Sequence, residues 1–304
     1  MRKIFLLFSV LFSLTARAQY QDTSVFAYPI QMDDVVVTAA RGGWDVAAFI
    51  RRVQTDTTFF KSFKTLRVKS FTAHNDIRVY DSKGRVDASL VSNTRTNAAN
   101  GCRTMDVLDE KTTGDFYKRN GEYKYYTADL YAYLFFTKGR ICNQNDIVGN
   151  TMQERGKGQL EKSKYQLKQL IFNPGSKIDG IPFMGDKAAI FEPDQAKKYD
   201  FKLNSEEYNG VECYVFKAIP KADYADDVVY NELSTWFRKS DYSIVARDYS
   251  LSYKTLAYDF DVRMQVRTKL LGDRLVPTNI SYDGNWHVFG KKRERVKFTT
   301  TLSY

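Results

Sequence analysis

The spacing of apolar positions changes once along this chain, from helical to alternating, and that change organises the reading. Val46, Phe49, Ile50 and Val53 recur three and four residues apart behind Asp45, a suitable helix cap. Phe60 and Phe63 continue the stripe beyond the polar Thr55-Asp56-Thr57-Thr58, so one bent helix or two short ones is predicted over 46–65. From Leu66 the period becomes two. Ile77 and Val79 lead into Asp81-Ser82-Lys83-Gly84, and Val86, Ala88 and Leu90 alternate on the return, which is a hairpin signature. Asn120-Gly121, flanked by Phe116-Tyr117 and Tyr123-Lys124-Tyr125, suits positive φ at both positions of a tight turn. A short aromatic helix is predicted over 128–136 and another over 159–171, where Leu160, Leu167, Leu170 and Ile171 share a side. Residues 173–193, with three of the six prolines, read as a long loop.

The last third alternates most cleanly. Strands are predicted over 199–203, 212–219, 233–238, 243–253, 257–270, 274–286 and 293–304. Tyr258, Phe260, Val262, Met264 and Val266 face one way, and Asp259, Asp261, Arg263, Gln265 and Arg267 the other. Such strands build an antiparallel sheet with one dry face and one wet face. Leu271-Gly272-Asp273 and Asp283-Gly284-Asn285 are short enough to be meander connections. No repeat of fixed period stands out.

The N-terminus reads differently. Arg2 and Lys3 precede an apolar run from Ile4 to Leu14, and Ala16-Arg17-Ala18 offers small residues at the two positions a signal peptidase reads. A signal peptide over 1–18 is expected, cleaved before Gln19, because the run is too short for a stable membrane span. No Cys follows it, so acylation as a lipoprotein is not expected. Residues 19–44 are expected to be extended. Within them, Asp33-Asp34-Val35-Val36-Val37-Thr38-Ala39-Ala40-Arg41 resembles the TonB box of energy-coupled outer-membrane transporters, which adds a strand to a partner's sheet edge. A first strand of the protein's own sheet needs the same residues, and that simpler reading is preferred.

The order helix, antiparallel meander, helical insertion and further meander resembles the outer-membrane lipoprotein carrier (LolA-like) superfamily over residues 45–304. Three pieces carry the likeness. One is Phe59-Phe60-Lys61-Ser62-Phe63-Lys64-Thr65-Leu66, a helix running into a strand. Another is Tyr199-Asp200-Phe201-Lys202-Leu203 with Asn209-Gly210-Val211-Glu212-Cys213-Tyr214-Val215-Phe216 and Ile219-Pro220-Lys221. The third is Thr235-Trp236-Phe237-Arg238-Lys239-Ser240 with Ile244-Val245-Ala246-Arg247, and Leu275-Val276-Pro277-Thr278 is similar to the opening of a late strand. The resemblance implies an α+β fold, in which a strongly curved, unclosed antiparallel sheet carries helices on its concave face. It also implies a lipid or other amphiphile as ligand. This chain departs from the pattern in its N-terminal tract and in the added length around 137–198, so no binding residue is carried over by identity. A single domain over 45–304 is expected, with a helical and loop insertion near 128–195.

Composition narrows function mainly by exclusion. Removing residues 1–18 takes away Arg2, Lys3 and Arg17 and no acid, so the formal charge falls from +10 to +7 (10 − 3). The basic residues are interleaved with acids, which describes a solvated charged surface, and no basic helix or module points to nucleic acid. With only His74 and His287, a three-imidazole zinc site is impossible. No nucleophile elbow, phosphate loop or dinucleotide fingerprint occurs, and no catalytic residue, metal or cofactor is expected. Acid pairs such as Asp226-Asp227, or Asp259 with Asp261, fall in a loop and on a wet strand face rather than across a cleft. Of the three cysteines, Cys102 and Cys142 sit in loop-like sequence and are expected to pair in an oxidising compartment. Cys213, inside a strand-like run, reads as a buried thiol.

The resemblance also implies an apolar cavity, too large for its own side chains to fill, and the place expected for it is between the helical segments and the last strands. Its candidate lining is Phe49, Val53, Phe60, Phe63, Tyr131, Phe135, Phe260 and Val262. Three functions follow: an exported binding or carrier protein for an amphiphile, periplasmic or attached to the outer membrane; an outer-membrane β-barrel; or an adaptor for another envelope protein. The alternation of Val296, Phe298, Leu302 and Tyr304 up to the C-terminus keeps the barrel open as an alternative.

Overall fold

The computed structural model describes residues 28–143, 171–177, 184–254, 258–288 and 292–304. The frame is one twelve-stranded sheet. In chain order its strands are β1 (Ile30–Met32), β2 (Phe71–Tyr80), β3 (Val86–Ala99), β4 (Cys102–Thr113), β5 (Ile141–Cys142), β6 (Tyr199–Tyr208), β7 (Val211–Pro220), β8 (Tyr230–Arg238), β9 (Ile244–Lys254), β10 (Tyr258–Leu271), β11 (Arg274–Val288) and β12 (Glu294–Ser303). In space they run β1-β6-β7-β8-β9-β10-β11-β12-β2-β3-β4-β5. The only parallel pairing among them is β1 with β6. β1 and β5 lie at opposite ends, so the curved sheet is unclosed, with helices on its inner face. This is the architecture the resemblance implies.

The sheet forms where alternation is strongest. On β10, Phe260, Val262, Met264 and Val266 are buried while Asp261, Arg263 and Gln265 are exposed. The alternative of a closed barrel is not what forms: among the described residues the sheet stays open, and its outer face carries ions such as the Lys297–Asp283 pair at 2.7 Å. A membrane-spanning barrel needs closure and an uncharged outer band. No helix among the described residues is long and apolar enough to cross a membrane.

Among the elements lying wholly within the described residues, the α-helices are α1 (Asp34–Arg41), α2 (Val46–Thr55), α3 (Thr58–Lys64), α4 (Tyr126–Phe135) and α5 (Pro193–Ala196). They cover the inner face in sequence. α1 lies beside β6, and Phe49 of α2 packs on Tyr214 of β7 and Phe237 of β8. α3 covers β9 to β11, and α4 covers β12 and β2. The predicted break between two short helices falls at Asp56, whose carboxylate accepts from the Thr58 and Phe59 amides at 2.9 and 3.3 Å.

Several sequence expectations are corrected. The tract 33–41 is neither an extended arm nor a strand. Asp33 caps a helix by accepting from the Val36 amide at 2.8 Å, and its other oxygen accepts from the Ser205 amide at 2.6 Å. Val36 is buried as a result, and among the described residues of the tract the strand is Ile30–Met32. Val86 does not share the face of Ala88 and Leu90. A bulge pairs Val79 with Ala88 but Tyr80 with Val86, and this one-residue slip leaves Val86 47% exposed. In the α3 stripe Phe59 and Phe63 are buried and Phe60 only partly so. Cys102 opens strand β4, which sequence reading placed in a loop. The turn before it, Asn100-Gly101, has positive φ at both residues (52° and 73°), whereas at Asn120-Gly121 only the glycine does. The helix expected over 159–171 lies outside the described residues except for its last position, as does part of the loop over 173–193.

Candidate functional site

α4 and the strands beneath it make the site. Its first turn has no cap of its own. Instead Glu294 on β12 accepts from the Tyr126 and Thr127 amides at 2.7 and 2.9 Å, and from the Thr127 hydroxyl at 3.0 Å. A carboxylate there satisfies orphan amides and complements the helix dipole. Near the other end, Arg67 donates to the Tyr133 carbonyl at 2.8 Å. Burial, together with the nearby Arg103 guanidinium, draws the Arg67 pKa down to about 10. Between these ends, Tyr131 and Phe135 pack on Phe298 with ring centres 4.9 and 6.1 Å apart.

A small cavity lies under this helix. Its walls are Thr127, Leu130, Tyr131, Leu134 and Phe135 of α4, Ile171, and Met264, Tyr282 and Phe298 from β10, β11 and β12. Its volume is about 10 Å³, on the scale of one water molecule. This space under α4 is far smaller than the hollow expected from sequence, because aromatic rings occupy it. Tyr282 shows how. Its ring stacks on Phe298 at 4.7 Å and lies where a Cβ on Gly284 would stand, and its hydroxyl accepts from the Trp286 indole N–H. Gly284 is thus a mid-strand residue that admits a ring, not the turn that Asp283-Gly284-Asn285 is expected to be.

Beside the cavity runs a buried polar seam. The Tyr131 hydroxyl donates to Asn75 Oδ1 at 2.5 Å and lies 2.5 Å from Thr300 Oγ1. Asn75 Nδ2 donates to Ser92 Oγ at 3.2 Å and Thr94 Oγ1 at 3.3 Å. Complete burial pushes the Tyr131 pKa well up, so the phenol stays protonated as a donor. Tyr131→Phe leaves Asn75 Oδ1 without that donor in a dry setting. Urea unfolding is expected to show a loss of about 1–3 kcal/mol, and an unchanged midpoint would mean that water or Thr300 replaces the bond.

The predicted cavity residues divide into four groups. Tyr131 and Phe135 line the cavity. Phe260 and Val262 share the β10 face with Met264, which is the residue from that strand that reaches it. Phe49 belongs to a separate aromatic cluster with Trp44, Tyr214, Phe237 and Tyr242, and Val53 is buried on the same helix. Phe63 packs on Phe172 at 4.3 Å, and Phe60 stands beside Lys64. Of the wall residues that sequence reading does not single out, Met264, Tyr282 and Phe298 carry a signal: each shares its parity with dry-face neighbours such as Val262, Ile280 and Val296. Cys102 and Cys142 are joined by a disulfide across the β4–β5 pair. Neither histidine enters the site. His74 meets Asn93 at 2.9 Å on the outer face, and His287 meets Asp259 at 3.3 Å.

No family model matches the chain, and no curated protein does. Among solved structures, similar folds include a Vibrio parahaemolyticus domain described as outer membrane lipoprotein-sorting. It is 9% identical, with a TM-score of 0.25, and the match covers 81% of this chain and 89% of that one. A LolA superfamily protein from Nitrosomonas europaea is 11% identical with a TM-score of 0.23, covering 81% and 92%. A DUF1329 family protein from Desulfovibrio piger is 11% identical with a TM-score of 0.22, covering 82% and 94%. At TM-scores of this size the likeness adds nothing to what the strand order itself establishes.

Proposed function

We propose that this is an exported, non-catalytic binding or carrier protein of the cell envelope, holding the apolar chain of a lipid or another amphiphile between α4 and the sheet. The observation that carries this reading is the cavity wall, in which a short helix with an apolar underside lies over the dry face of β10 to β12. At about 10 Å³ the space holds no chain while α4 is seated, so binding requires the helix to lift. It is held by polar contacts at both ends, to Glu294 on the sheet and to Arg67 in the turn after α3, and by apolar contacts between them, an arrangement in which a chain can replace ring contacts. The Cys102–Cys142 disulfide fits an oxidising compartment, periplasm or beyond. Both histidines lie away from the cavity, which fits a site without acid–base chemistry.

A second reading, an envelope adaptor, is favoured by the edge beyond β5. There β4 extends to Thr113 with Val107 52% and Leu108 49% exposed. Flanking Asp106, Asp109 and Glu110 guard that edge against indiscriminate pairing.

Titration with a long-chain fluorescent fatty acid tests the carrier reading. Saturable binding, reversed by unlabelled fatty acid, is expected. A signal that never saturates, or that unlabelled chain cannot displace, overturns it.

A further inference from the structure

The neighbouring roof segment hides a cation. Arg247 stands on the inner face of β9 beneath α3 and is only 7% exposed. Its Nε donates to Thr235 Oγ1 at 2.9 Å, and its guanidinium lies 4.3 Å from the centre of the Phe59 ring. A guanidinium carries five N–H donors. Among the described residues this hydrogen bond is the one its side chain makes, and no acid forms an ion pair with it. Asp56 exerts the leading attraction, yet its carboxylate is engaged by the Thr58 hydroxyl and the Thr58 and Phe59 amides. Burial draws the Arg247 pKa down to about 10, which leaves it cationic at neutral pH. A buried charge without a counter-ion costs stability, and an arriving anion removes that cost.

Strand register places this charge next to the cavity. Arg247 pairs across with Val266, and Tyr249 pairs with Met264, a cavity wall. The Tyr249 hydroxyl donates to the carbonyl of Ile171, another wall residue. Two residues along a strand span roughly 7 Å, the length of a few methylenes.

We infer that Arg247 anchors an anionic head group, a carboxylate or a phosphate, of an amphiphile whose chain runs from β9 into the cavity under α4. The assignment rests on the carrier reading above. It gives the ligand a polarity: anion under α3, chain under α4. A single guanidinium with free donors suits either group, in one or two hydrogen bonds.

Competition against the fluorescent fatty acid with three unlabelled ligands of equal chain length separates the cases: a fatty acid, its methyl ester and a monoalkyl phosphate. Wild type is expected to bind the acid or the phosphate about tenfold or more tightly than the ester, and the tighter of the two identifies the head group. In Arg247→Met that preference is expected to vanish while ester affinity stays near wild type. Arg247→Lys, which keeps the charge but not the fork, should retain part of it. The comparison within wild type needs no variant, so a folding defect in Arg247→Met does not shelter the assignment. Equal affinity for all three ligands overturns the role of Arg247 and leaves chain binding standing. Failure of all three to displace the probe overturns both.

Discussion

Phe298→Ala is expected to lower the free energy of unfolding by about 3–5 kcal/mol, the range for removing a buried aromatic ring from a core that cannot close behind it. Phe298 is where the two sides of the site meet. Tyr282 stacks on it at 4.7 Å and 6° from one side, and Tyr131 and Phe135 lean on it from the other. Two of these rings are held in place. Tyr131 is tied to Asn75 and Thr300, and Tyr282 to Trp286. The vacated space joins the existing cavity of about 10 Å³ and remains dry and apolar. Benzene, which fills such cavities, is therefore expected to raise the melting temperature of the variant and not that of wild type. Urea unfolding supplies the first number and a melt with and without benzene the second. A loss under about 1 kcal/mol would show that α4 settles onto the sheet without Phe298, and that the roof is far looser than its ring contacts imply.

Much of this architecture can be read from the residues, because a half-buried strand writes its own pattern. Alternation from Phe260 to Val266 assigned faces correctly, and the seven late strands fall where turn residues and dry positions place them. The failures have local causes. Val35-Val36-Val37 carries strand-forming side chains, but Asp33 offers a cap that a strand cannot use, and a helix needing only Val36 buried wins. β4 escaped notice because an edge strand wet on both sides does not alternate; from Val107 to Thr113 every residue is exposed. Gly284 looks like a turn in sequence and is a vacancy for the Tyr282 ring.

The candidate site was legible in part for the same reasons. Alternation showed which side of β10 faces inward but not which rung lies under α4, so Phe260 and Val262 stood in for Met264. Likewise Phe49 has the helical spacing of a cavity residue, yet its partners Trp44, Tyr214, Phe237 and Tyr242 fill their own space. Whether aromatic residues line a hollow or fill it depends on ring tilt at fixed backbone. Side-chain spacing along the sequence holds no information about that. Arg247 was invisible as a site because its position in the strand-like Ile244-Val245-Ala246-Arg247 looks like the charged end of a strand. Its burial depends on α3 folding over it from almost two hundred residues away.

Reduction of the Cys102–Cys142 bond is expected to cost the second-largest share of stability. The cysteines are 40 residues apart in sequence, and releasing a loop of that length restores chain entropy worth about 4 kcal/mol. Among the described residues, β5 pairs with β4 through Cys102–Cys142 and Arg103–Ile141, and the Asn143 amide donates to the Gly101 carbonyl at 2.9 Å beside them. Dithiothreitol should therefore lower the unfolding midpoint of wild type. Cys142→Ser should show the same loss without reductant and respond no further to it. The third thiol supplies an internal count. Cys213 is fully buried, with its pKa pushed up to about 11, and should be silent to thiol reagents until the protein unfolds. Unfolded wild type from an oxidising compartment then exposes one thiol, against three for protein retained in the cytosol by deleting residues 1–18. Three thiols in the exported material, or a midpoint indifferent to dithiothreitol, would remove the support that the disulfide lends to an envelope location.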